Sequence, residues 1–165
     1  MANVKPADDH PGVIAPPPLI IAAALVVGLA LDWLVPAYVL TVLLGMTTRI
    51  VVGVLLIVAG LGLIGLAGHQ FHRLGTNAFP WQPTLVLATH EVYSHLRNPM
   101  YVGMILIAAG LAIALASDWT LVLLVPAAIV LHRGVVLREE QYLAAKFGED
   151  YRQYLAQVPR YGWPG

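Results

Sequence analysis

Cysteine is absent from the chain. Its absence excludes disulfides, thiolate nucleophiles, Cys-based metal sites and palmitoylation, and it leaves the redox compartment open. Charge is scarce. Only 11% of the 165 residues are Asp, Glu, Lys or Arg, against roughly 25% in soluble domains. The two signs cancel to a net charge of zero, so nothing in the balance argues for a nucleic-acid partner. No internal repeat is visible, which speaks against a transporter built from inverted repeats.

Hydrocarbon takes the place of charge. Hydrophobic residues make up 59% of the chain, and the mean hydropathy is +0.76. The run from Pro11 to Leu31 carries no charge, and Met1–His10 sets Lys5 against Asp8 and Asp9. A run of this length without a basic flank predicts a retained span rather than a cleaved leader. This first span is expected over about Pro18–Val35, entered through Pro16-Pro17-Pro18 and ended by Pro36. A second is expected from Gly45 or Arg49 to His72, a third from Pro99 to about Ala116, and a fourth from Trp119 to about Leu137. Ser117-Asp118-Trp119 reads as a tight turn that makes the last two an antiparallel hairpin, and Pro126 is expected to kink the fourth.

From Arg138 onward Tyr142, Leu143, Phe147, Tyr151, Tyr154 and Leu155 recur at helical spacing, interrupted near Gly148. That pattern predicts an amphipathic helix lying at the membrane surface. The expectation is an all-α integral membrane protein of about four transmembrane helices, with a C-terminal helical hairpin and an amphipathic interfacial helix. It forms a single domain over 1–165, with two N-terminal spans (1–67) and a second half (68–161). With four spans, every Lys and Arg except Arg49 falls on one side, which predicts that both termini and the 73–98 loop face the cytoplasm of a cell inner membrane.

Three patterns are weaker than they look. Gly60, Gly62 and Gly65 match a dinucleotide-binding spacing, but they lie inside an apolar run with no strand before them, so a small-residue packing face is the better reading. His90 and His95 are five apart and cannot share a helical face as a zinc-protease pair does. His69 and His72 lack a third ligand, so no metal site is assigned.

The densest polar chemistry lies in Tyr93-Ser94-His95-Leu96-Arg97-Asn98-Pro99-Met100-Tyr101-Val102-Gly103 and in Glu139-Glu140. Carboxylates and an arginine at the ends of membrane helices are costly against lipid. Snorkelling and interface-belt roles account for each alone, but their density favours a site. Neighbouring residues on a helix point about 100° apart, so Glu139 and Glu140 are not expected to contact the same atom. His132, within the fourth span, is expected to face the bundle interior.

In order, Tyr93, Arg97-Asn98-Pro99, Tyr101 and Gly103, then a hairpin, Glu139-Glu140, Phe147-Gly148, Tyr151, Tyr154 and Val158-Pro159 resemble the isoprenylcysteine carboxyl methyltransferase family and its phospholipid N-methyltransferase relatives. Leu74-Gly75-Thr76-Asn77 resembles that family's upstream segment, and the likeness covers about residues 68–161. One departure stands out: where the family has glycine two residues before Tyr93, this chain has Glu91.

The resemblance implies S-adenosylmethionine as methyl donor, held by the second half of the chain at the cytosolic membrane face. It also implies a membrane lipid or lipid-like acceptor that reaches the site laterally from the bilayer. It assigns Arg97, Tyr101 and Glu139 to catalysis. To cofactor binding it assigns Tyr93, His95, Arg97, Asn98, Pro99, Tyr101, Gly103, Glu139 and Glu140. Two alternatives remain at this point: a membrane reductase using a nicotinamide cofactor, and a non-catalytic membrane lipid-binding protein. The acceptor, the general base and the oligomeric state stay open.

Overall fold

A computed structural model describes residues 10–76 and 82–162. Among these residues the fold is all-helical. α1 spans Pro17–Leu34, α2 Val39–Leu43, α3 Met46–Leu74, α4 Pro99–Leu115, α5 Asp118–Leu131 and α6 Leu137–Gln157. A 3-10 turn covers Glu91–Ser94, and a π turn, His132–Val136, joins α5 to α6.

α1, α3 and the continuous stretch that begins at Asp118 are long and apolar enough to cross a membrane. α4 is equally apolar but has 17 residues. The apolar part of the last stretch ends with the π turn. Beyond it α6 is amphipathic and carries Glu139 and Glu140 in its first turn.

The helix ends follow local chemistry. Pro17 and Pro99 sit in the first turns of α1 and α4, where a missing N–H costs nothing. α3 ends at Gly75, left-handed at φ 63°, with the Thr76 N–H bonded to the Phe71 carbonyl at 3.2 Å. The hairpin is as tight as the sequence predicts. Ala116 turns left-handed and Ser117 caps α5.

A polar knot locks this end of the bundle. The Asp32 carboxylate accepts from the Ser117 hydroxyl and from the Trp119 N–H. The Asp118 carboxylate accepts from the Val39 and Leu40 N–H groups at 3.0 Å each, which ties α2 to α5.

α4 is central, packed against α3 on one side and against α5 and α1 on the other. Glycines seven residues apart set the α3–α4 approach. A Cβ on Gly60 would stand 2.5 Å from the Gly103 carbonyl oxygen, and one on Gly53 would stand 2.6 Å from that of Gly110. Backbones this close need small residues on both sides.

The packing face predicted at Gly60-Gly62-Gly65 is therefore only partly realised. Gly60 belongs to it, whereas Gly62, Gly65 and Gly68 meet nothing within 4 Å, because their spacing carries them round the helix. Pro126 differs from expectation too. The α pattern continues through it, and the departure falls at the His132–Val136 π turn. Gly148 breaks α6 with φ 57° and ψ −123°, as its sequence predicts.

Candidate active site

The 3-10 turn opens at Glu91, a non-glycine residue at φ 52°. Left-handed backbone of this kind is natural for glycine and strained for glutamate. The position where the family pattern carries glycine is thus one where the backbone requires it. Glu91 pairs with Arg73 at 2.7 Å, but both side chains are exposed, so the pair offsets little of the strain.

Two residues on, the ring of Tyr93 is buried edge-on against Phe71, centroids 5.3 Å apart. Its carbonyl accepts a 2.7 Å bond from the Tyr154 hydroxyl, which brings the second half of α6 down onto the turn. Burial pushes the Tyr93, Tyr151 and Tyr154 phenols up, so all three stay protonated.

Arg97 and Asn98 precede α4 and are held by the chain's far end. The Arg97 N–H donates to the Pro159 carbonyl at 3.0 Å, and the Asn98 side-chain amide donates to that of Arg160 at 3.3 Å. The Arg97 guanidinium is 10% exposed, and its Nη1 lies 3.0 Å from Glu140 Oε1. That contact is an ion pair of poor hydrogen-bond geometry, and Nε is buried without an acceptor among the described residues. Buried donors in this state are uncommon and point to an absent acceptor.

The two adjacent carboxylates have opposite environments. Glu140 is forked by Arg160, with Nε and Nη2 at 2.8 and 2.7 Å from its oxygens. Burial pulls its pKa upward, but the Arg160 and Arg97 guanidinia outweigh it and hold the carboxyl below the usual range. Glu139, one residue earlier, has no ion pair among the described residues. It accepts a 2.7 Å hydrogen bond from the Tyr101 hydroxyl. Burial pushes its carboxyl up to about 7, with the Tyr101 bond working in the other direction. The helical offset between neighbours thus gives one carboxylate fixed as an anion and one poised near neutrality.

These groups surround one cavity of about 100 Å³. Arg97, Asn98, Pro99 and Tyr101 form its base at the start of α4, and Glu139 and Glu140 form one wall. Tyr93, Phe71, Tyr151 and Tyr154 supply aromatic surface, while Thr84, Leu87, Ala88 and Pro11 close it from the connecting segments. The Thr76 hydroxyl accepts from the Leu85 and Val86 N–H groups and so fixes that closing segment.

Seven of the nine residues named from the sequence converge here. His95 does not. It is exposed, with Nδ1 3.0 Å from the Ser94 hydroxyl and 3.1 Å from the Glu91 carbonyl. Gly103 does not either, because it faces α3, where a Cβ would stand 2.7 Å from the Gly60 carbonyl oxygen. Arg160, Phe71, Tyr151 and Tyr154 were not named as site residues. The tyrosines carried a signal in their helical spacing with Phe147. Nothing in the spacing alone ties Arg160 to Glu140 twenty residues earlier.

The fold and site define a class: an all-helical integral membrane protein with a buried arginine–carboxylate cavity at the end of a helical hairpin. The sequence model of the phospholipid methyltransferase family matches residues 48–150, from α3 into α6. The chain belongs to that family and is a membrane methyltransferase. Neither a curated protein nor a solved structure gives a match. The matched region encloses both Tyr93–Gly103 and Glu139-Glu140 and stops before Arg160. Methyltransferases of this family are generally S-adenosylmethionine-dependent, and their place in the membrane implies a lipid-like substrate.

Proposed function

We propose that the protein transfers a methyl group from S-adenosylmethionine to a hydrophobic or lipid-like acceptor, with the donor held in the Arg97–Glu139 cavity. The observation that carries this reading is the Arg97 guanidinium, buried in the cavity wall with Nε lacking an acceptor and Nη1 held only by a loose contact with Glu140. A carboxylate is the acceptor its fork suits best, and the methionyl end of the donor has one.

The remaining chemistry fits as well. Glu139 suits the ammonium or the ribose hydroxyls. Tyr93 and Tyr101 offer aromatic faces to a sulfonium. Glu140, bound by Arg160, orients Arg97. His95 and Gly103 take no part in this reading. The cavity is smaller than the roughly 300 Å³ lower bound of ligand pockets, so a wall must move to admit a nucleoside. Pro11 belongs to the segment held by the Arg138 guanidinium on the Gly12 carbonyl at 2.7 Å.

When bound, the cofactor supplies an electrophilic methyl on a sulfonium, which an acceptor lone pair takes by in-line displacement as the thioether leaves. The chain's own part is to fix the donor's ends, present the acceptor and keep water out. Glu139, poised near neutrality, suits the proton that an amine or thiol acceptor must lose. We read α4, the third of the four expected spans, as crossing the membrane despite its 17 residues, with the site on the cytoplasmic face. The crowding of Lys and Arg on that side supports this orientation.

The test is incubation of the purified protein with methyl-labelled S-adenosylmethionine and a membrane extract. Label should move into the lipid-extractable fraction, and less of it should move with Arg97→Ala. No transfer to any extract component contradicts the reading.

A further inference from the structure

The walls of the Arg97–Glu139 cavity differ in how firmly they are held. Its base and its carboxylate wall are carried by α4, by α6 and by the chain's return at Pro159 and Arg160. The segment that closes it at 84–88 is pinned along its length. The Thr84 N–H donates to the Tyr142 hydroxyl at 3.2 Å, the Leu85 and Val86 N–H groups donate to the Thr76 hydroxyl, and Ala88 is buried in the cluster of Ala67 and Tyr93.

Pro11 is the remaining wall, and it is held lightly. Residues 11–15 form a strap that crosses the π turn before α1 begins. The Ile14 N–H donates to the Gly134 carbonyl at 3.2 Å, and the Gly12 carbonyl accepts from Arg138 at 2.7 Å. Val13 packs partly buried on the cluster of Tyr101, Leu131, Val135 and Val136. The Ile14 side chain is 53% exposed, and Arg138 is exposed as well. Contacts this close to water open more readily than a packed core does.

Two glycines shape the strap. Gly12 is left-handed at φ 60°, with open space where a Cβ would stand, and this turn leads the chain to Pro11 in the cavity wall. Gly134 is the seat. It is buried, and the nearest atoms a Cβ would meet there are all of Ile14. The seat lies within the His132–Val136 π turn, a departure from α geometry that is frequent at functional sites. Pro16 and Pro17 stiffen the entry to α1, which confines movement to the residues ahead of them.

We propose that residues 11–15 are the door of the cavity. The strap lifts off Gly134 and Arg138 to admit the polar, water-borne methyl donor, then seats again over it and keeps water from the reacting sulfonium. The donor's identity rests on the methyltransferase reading, whereas the opening of the cavity does not depend on it.

The cysteine-free chain lets engineered thiols be read without background. Ile14→Cys with Gly134→Cys puts two thiols where backbone atoms lie 3.2 Å apart, within reach of a disulfide. In nanodiscs, oxidation of the full-length double variant should slow association of labelled S-adenosylmethionine about tenfold or more, because the open state is no longer populated. Reduction should restore the rate, and donor loaded before oxidation should stay trapped. Ile14→Ala with Arg138→Gln loosens the strap through exposed side chains alone, and should speed association about tenfold over the parent. Association equally fast in the oxidised and reduced proteins overturns the door.

Opening can also be read with no donor present. Ala88→Cys places a thiol in the cavity wall. Its alkylation by iodoacetamide should be about tenfold faster when Ile14→Ala and Arg138→Gln are added. Equal alkylation rates with and without the loosened strap show that another wall opens, and overturn the proposal. Faster alkylation in a protein with no affinity for S-adenosylmethionine would defeat the donor reading and leave the door standing.

Discussion

The Tyr101 hydroxyl donates to Glu139 across 2.7 Å and so joins the first turn of α4 to the first turn of α6. Glu139 is thereby kept within the cavity with no ion pair among the described residues, and burial raises its pKa to about 7. The sign of the consequence is fixed. Between the unfolded value of 4.5 and about 7, the unfolded chain releases this proton and the folded chain keeps it. Stability therefore falls as pH rises through that window and is level above it. Glu139→Gln should be more stable than the parent at pH 8, by up to about 3 kcal/mol from the size of the shift. The difference should close toward pH 4.5. Thermal unfolding in detergent at both pH values measures it; an equal difference at both would contradict the shifted carboxyl. The same substitution should abolish methyl transfer.

Glu91 holds a left-handed backbone at φ 52°. Glu91→Gly should raise stability by about 1 kcal/mol, because the strain it relieves exceeds the worth of an exposed ion pair. Glu91→Val should lower it, since a β-branched side chain is least tolerant of positive φ. Chemical unfolding in mixed micelles ranks the three proteins, and a parent more stable than the glycine variant would count against the strained turn.

Arg160 grips Glu140 with two bonds while Arg97 makes one looser contact. Arg160→Ala should therefore weaken donor binding through misplacement of Glu140 and Arg97, by about 2 kcal/mol, the scale of a charged hydrogen bond. Arg160→Lys should restore part of it, since one donor survives but the fork does not. Titration of the two variants against the parent reads the difference. Identical affinities in all three would show that Arg160 positions nothing.

The α3–α4 interface separates glycines that look alike in the sequence. Gly60→Ala drives a methyl into the Gly103 carbonyl and should cost about 1–3 kcal/mol. Gly62→Ala, with nothing within 4 Å, should gain up to about 1 kcal/mol from helix propensity. The folded fraction recovered in detergent, followed through a heating series, distinguishes them.

Much of this architecture can be read from the residues. The uncharged runs, the Ser117 turn and the Gly148 break each have a local cause, so the helices and the α4–α5 hairpin follow from the chain itself. The hairpin in turn implies that Arg97 and Glu139-Glu140 meet. What spacing does not contain is the direction of each side chain. His95 lies in the richest polar stretch yet turns outward to Ser94, because the 3-10 turn rotates it away from Tyr93. Gly103 reads as room for a ligand and is instead room for Gly60. Arg160 reaches Glu140 only through the return of the chain after α6, a tertiary fact with no periodic signature. Glu91 is the converse. As a departure from the family pattern it marks a turn whose backbone favours a glycine.

The proposed role of the cavity stands on S-adenosylmethionine binding through Arg97. Isothermal titration of the cofactor into the nanodisc-embedded protein and into Arg97→Ala tests it most directly, with unfolding curves to show that both are folded. Saturable binding to the parent, and a loss of about a hundredfold or more in the variant, is the predicted result. Equal affinity in the two proteins, or no binding to a folded parent, would contradict it.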